Sequence, residues 1–165
     1  YPELTGSITL LGPAGMVKIP PQAIAAAKKS YDSFANFIFS PQAGVFFYKW
    51  KPEWNALIPI FKRLALHPDA KKINLASKYS FFSMIDAAST LADNLKRINA
   101  PVLVILGKQD KLLPGNNIPL ETYTTVLKKN FKKVRIEILD ECGHMIPMEQ
   151  PEKTVQLITG FVLQR

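Results

Sequence analysis

Five consecutive apolar residues, Val102-Leu103-Val104-Ile105-Leu106, followed at once by Gly107-Lys108-Gln109-Asp110, constrain the fold of this chain more than any other stretch. The run is too short for a buried helix and rich in branched side chains, so it reads as a strand covered on both faces, as inside a parallel sheet. Parallel neighbours cannot be joined by a tight hairpin and need crossovers. The flanking sequence supplies them. Ser7 to Leu11 is β-prone and closed by Gly12-Pro13-Ala14-Gly15, which predicts a strand ending in a turn. Val134, Ile136 and Ile138 alternate with Arg135 and Glu137, which predicts a half-exposed strand near the sheet edge. Between these, Leu120, Tyr123, Leu127 and Phe131 share one face of a crossover helix spanning Pro119 to Phe131. Lys128 and Lys129 stand near its C-terminus, as the helix dipole favours. Pro151 opens a last helix, with Val155, Ile158, Phe161 and Val162 expected to face inward.

The intervening sequence is helical in pattern. From Gln22 the residues Ile24, Ala27, Tyr31, Phe34, Ala35 and Ile38 recur at three and four until Pro41. Phe46 to Phe61 is aromatic and punctuated by Pro52 and Pro59, which suits short broken helices better than strands. Asp69 to Lys96 reads as further helix, with Phe81, Phe82, Ile85, Ala88, Leu91, Ala92 and Leu95 at helical spacing.

With 165 residues, 47% of them apolar, the chain suits one domain with a sizeable core, and general disorder is excluded. The first residue, Tyr1, points to a processed chain or a fragment. Cys142 alone makes neither an internal disulfide nor a zinc framework. No stretch approaches the roughly 20 apolar residues of a spanning helix, and no signal pattern opens the chain, so an intracellular, soluble, cytoplasmic protein without a transmembrane segment is expected. The net charge of +8 is spread as lysine pairs over separate elements, without a glycine-rich phosphate loop. It reads as solvated helix ends and turns rather than a nucleic-acid surface.

In open α/β sheets functional groups gather beyond the C-terminal strand ends. Asp110 lies four residues past the buried strand and His144 about five past the edge strand, so neighbouring strands would present a carboxylate and an imidazole on one rim. Such a pair fixes the histidine tautomer and leaves one ring nitrogen as a base for a nucleophile's proton. No Gly-x-Ser-x-Gly, nor a variant centred on Cys or Asp, occurs in the 165 residues. Plainer readings exist: Asp110 as a turn residue bonding its own backbone, His144 as a buried structural histidine. His67, beside Pro68 and Asp69, reads as surface. Asp140 and Glu141 read as turn or capping residues. Cys142 is a poor nucleophile candidate, because a Cys-x-His spacing on one loop sends the side chains apart.

Two segments carry a resemblance to the α/β-hydrolase family. Ile98 to Pro114 is similar to its seventh strand and acid loop, and Cys142-Gly143-His144-Met145-Ile146-Pro147-Met148-Glu149-Gln150-Pro151-Glu152 to its histidine loop and final helix. Leu4 to Gly15 is similar to the sixth strand with the helix end before it. The fold class implied is α/β: the C-terminal half of an α/β-hydrolase sheet, three mostly parallel strands with crossover helices, and a helical cap insertion. Residues 1–16 and 86–165 would form the core part and 17–85 the cap or lid.

The resemblance implies a serine-type hydrolase of an ester or related acyl bond. Asp110 and His144 would be its catalytic acid and base, and the nucleophile would lie upstream, so the chain alone is expected to be inactive. Trp50, Trp54, Met145 and Ile146 are candidate contacts for a small apolar acyl or ester-like substrate. No cofactor, metal or nucleic acid is expected. The partner implied is the N-terminal half of the same fold, and without it the Ser7 to Leu11 edge invites self-association. The alternative is a non-catalytic α/β-hydrolase-like ligand-binding or interaction module.

Overall fold

The computed structural model describes residues 2–18, 20–26, 28, 29, 46–112 and 118–164. Three strands, β1 (Ile8–Leu11), β2 (Val102–Gly107) and β3 (Val134–Leu139), form one parallel sheet in the order β1-β2-β3. Ile8 pairs with Val102 and Leu11 with Ile105; on the other side Val102 pairs with Val134 and Gly107 with Leu139. All six residues of β2 are buried, as its unbroken apolar run predicts. Removing each of its large side chains from water is worth roughly 1.5–3 kcal/mol, and both faces contribute.

The two faces carry separate cores. Val102, Val104 and Leu106 pack with Tyr123, Leu127 and Phe131, placed by α3 (Leu120–Asn130) and its C-terminal end, and with Met16, Val17 and Leu95. Leu103 and Ile105 face the other way, onto Leu139, Cys142 and Ile146, under Leu157, Ile158 and Phe161 of α5 (Pro151–Leu163). The result is a three-layer α/β/α arrangement in which, among the described residues, β3 pairs on one side only and lies at an edge, as its alternating pattern predicts.

The α5 face differs in part from the sequence expectation. Ile158 and Phe161 face the core as expected, together with Thr154 and Leu157, whereas Val155 is 63% and Val162 43% exposed. The inner stripe admits Thr154 because its hydroxyl donates to the Gln150 carbonyl at 2.7 Å, so nothing polar is left unpaired.

Between β1 and β2 the described chain is helical or in turns. A 3-10 helix at Pro52–Ala56 runs into α1 (Leu57–Ala65), with Pro59 in its first turn, where a missing N–H costs no intrahelical bond. The long α2 (Ala70–Asn94) crosses position 85 without a break and ends in a 3-10 turn at Leu95–Arg97. Of its expected inner face, Ile85 and Ala92 are buried, while Leu91 is 41% exposed. The helix expected from Gln22 to Pro41 falls largely outside the described residues; 21–26 are helical. A short helix, α4 (Ile146–Glu149), bridges β3 and α5. Among the described residues no helix is long and apolar enough to cross a membrane.

Candidate active site

The register of the sheet decides the site. β2 and β3 end opposite one another at Gly107 and Leu139, and β1 ends opposite Ile105, so the three following loops share one rim. Backbone bonds stitch them: the Gly12 N–H donates to the Ile105 carbonyl, Lys108 to Leu139 and Gln109 to Cys142, each at 2.9 Å.

On that rim His144 Nδ1 meets Asp110 Oδ2 at 2.8 Å. The Asp110 side chain has no exposed surface, while that of His144 is 28% exposed. Because a carboxylate only accepts, Nδ1 carries the shared hydrogen, and Nε2 is the nitrogen left with a lone pair. The second oxygen of Asp110 accepts the Leu112 N–H at 2.7 Å, so the carboxylate is held from both sides. This is an Asx-type turn and a pairing with His144 at once, and the two uses do not exclude each other.

Gly12 lies against the pair. Its φ is +51°, a left-handed conformation that glycine adopts without a Cβ penalty, and an added Cβ would lie 3.2 Å from His144 Nδ1 and 3.5 Å from Asp110 Oδ2. The buried Tyr123 donates its hydroxyl to the Pro13 carbonyl, fastening the Gly12 loop to α3. Burial, helped by the nearby Asp110 charge, raises the Tyr123 phenol well above its ordinary range, so it remains a donor.

Two connections were not legible in the sequence. Gln109 bridges the acid and histidine loops, donating to Asp140 Oδ1 at 2.8 Å and accepting the Cys142 N–H at 3.0 Å. The exposed Asp140 carboxyl is held down to about 2 by hydrogen bonds from Gln109, then from Lys108 and the Glu141 N–H. Phe46 reaches the histidine loop from the other side: its carbonyl accepts the N–H groups of His144 at 2.7 Å and Met145 at 3.1 Å, and its ring centroid lies 6.2 Å from the imidazole. Local pattern holds no signal for a contact across 98 positions.

The aromatic candidates come together. Trp54 is buried, with ring centroids 4.7 Å from Phe47 and 5.7 Å from Trp50, and Trp50 Nε1 donates to Asn55 at 2.9 Å. Met145 is half-buried beside His144, whereas Ile146 is wholly buried beneath the loop. His67 is exposed and accepts the Asp69 N–H. Cys142 is wholly buried, and burial first, with Glu149 and Asp110 nearby, pushes its thiol up to about 12, leaving almost no thiolate at neutral pH. Among the described residues no cluster of His, Cys, Asp and Glu could hold a metal ion.

Sheet order, crossover helices on both faces, a helical cap and a rim-mounted acid–histidine pair define the C-terminal part of the α/β-hydrolase fold. A 2-hydroxy-6-oxo-6-phenylhexa-2,4-dienoate hydrolase from Rhodococcus sp. strain RHA1 superposes with a TM-score of 0.70 at 22% identity, over 96% of this chain and 56% of that one. A bacterial membrane phospholipase A does so with a TM-score of 0.68 at 18% identity, over 98% of this chain and 50% of that one.

In sequence, monoacylglycerol lipase abhd6-B of Xenopus laevis is 34% identical over 84 residues, 50% of this chain and 23% of its own length. Monoacylglycerol lipase ABHD6 of Mus musculus is 32% identical over 90 residues, 54% of this chain and 22% of its own length. The matched segment thus spans less than a quarter of these relatives. No protein-family model matches the chain.

Proposed function

We propose that this chain supplies the acid and base of a serine-type hydrolase of carboxylic esters or related acyl bonds, with the nucleophile in the preceding half of the fold. The single observation that carries this reading is the 2.8 Å bond between the buried Asp110 carboxylate and a partly open His144. His144 Nε2 would take the nucleophile's proton as its oxygen bonds to the carbonyl carbon, and pass it to the departing alcohol. Asp110 would stabilise the imidazolium in between, and water would repeat the cycle on the acyl intermediate. The ester preference is supported by the names of the sequence relatives, monoacylglycerol lipases.

Trp50 and Met145 are carried into the proposal as substrate contacts, with Trp54 behind Trp50 and Ile146 supporting the loop from below. The division into core (1–16, 86–165) and cap (17–85) and an intracellular, soluble setting belong to the same proposal.

The alternative is a non-catalytic ligand-binding or interaction module on the same fold. Labelling separates the two. In the full-length protein a fluorophosphonate probe is expected to bond covalently upstream of residue 1, and His144→Ala is expected to abolish that labelling. A full-length protein that binds acyl ligands but never labels would establish the module instead.

A further inference from the structure

We infer that Glu149 is a positioning residue for His144, one that locks the histidine loop to the segment at 46–48. The inference rests on the reading of His144 as the base. Glu149 closes α4 and is 6% exposed, a carboxylate buried in the core. Its two oxygens serve two different segments. Oε1 accepts the Gly143 N–H at 2.9 Å, and Oε2 accepts the Tyr48 N–H at 2.7 Å.

Gly143 immediately precedes His144, and Tyr48 stands two residues after Phe46, whose carbonyl takes the His144 and Met145 N–H groups. The bonds close a ring: His144 to Phe46, along the chain to Tyr48, across to Glu149, back to Gly143 and so to His144. There is no slack in it. A Cβ at Gly143 would lie 2.6 Å from Tyr48 N and 2.9 Å from Glu149 Oε1.

The division of labour follows from these contacts. Asp110 orients the imidazole, and Glu149 fixes the backbone from which the imidazole hangs. An apolar side chain at 149 could fill the space but would strand two N–H donors, whereas a carboxylate binds both with charge-assisted bonds. Residues 46–48 and the base therefore move as one unit, and displacement of that segment would carry His144 away from its working position.

Glu149→Gln and Glu149→Leu in the full-length protein test this against a merely structural role. Glutamine is isosteric but turns an amide donor toward one of the two N–H groups, so kcat is expected to fall on the order of 10–100-fold with KM moved less than about threefold. Leucine is expected to fall further. At temperatures where circular dichroism shows the native fold, the downfield proton resonance of the Asp110–His144 bond is expected to weaken or shift in both. Variants that fold and lose thermal stability yet keep wild-type kcat and an unchanged resonance would overturn the inference. If the leucine variant does not fold, the isosteric glutamine variant decides alone. His144→Ala is the control: activity surviving it defeats the base assignment itself, while its loss beside fully active Glu149 variants defeats only the positioning role.

Discussion

In the proposed reaction Asp110 is the residue on which the chemistry turns, and its side chain is wholly screened from solvent and bonded on both oxygens. Asp110→Asn preserves shape but presents the wrong partner to Nδ1, and turnover of the full-length protein is expected to drop on the order of 10⁴-fold. Gly12→Ala acts on the same bond sterically. A Cβ 3.2 Å from Nδ1, on a backbone at φ +51°, is expected to cost about 1–2 kcal/mol in chemical denaturation and to lower kcat as well.

The Cys142 thiol should resist alkylation at neutral pH in the folded protein and react only on unfolding, which a thiol reagent with and without denaturant checks. Asp140 has a definite acid-side sign. Its folded pKa of about 2 lies below the ordinary carboxylate value, so its stabilising effect is complete above roughly pH 4 and lost as pH falls toward 2. Asp140→Asn should flatten the decline in stability across that window.

At the scale of elements, the apolar run from Val102 to Leu106 was fully legible, because burial on both faces leaves no polar residue to blur the pattern. The crossover helix was legible for the same reason: Tyr123, Leu127 and Phe131 repeat at four with charge outside. The orientation of α5 was legible in part: Ile158 and Phe161 pack inward as expected, whereas Val155 and Val162 do not. Apolar spacing alone admits Val155 and Val162 as readily as Leu157, and a threonine able to satisfy itself on the Gln150 carbonyl takes an inner position that hydrophobicity assigns elsewhere. Chemical denaturation checks both readings: Leu103→Ala in β2 should cost about 2–5 kcal/mol, while Val155→Glu should change stability by less than about 0.5 kcal/mol.

For the molecule as a whole, the sequence showed the rim pair but not what holds it. Asp110 and His144 follow strand ends by a few residues, a spacing that any parallel sheet converts into proximity. Phe46, Gln109 and Glu149 act through backbone groups and long-range contacts, which leave no periodic trace. Among the described residues β1 pairs with β2 alone, leaving its other edge without a strand. Sedimentation of the isolated chain is expected to show concentration-dependent association, and a strict monomer at high concentration would count against that edge being exposed.

The most direct test joins this chain to the preceding half of the fold and follows hydrolysis of a short-chain p-nitrophenyl ester. Turnover should appear only when the two are combined and should vanish with His144→Ala. Undiminished turnover in that variant, or turnover by residues 1–165 alone, would contradict the assignment of His144 as the base for a nucleophile located elsewhere.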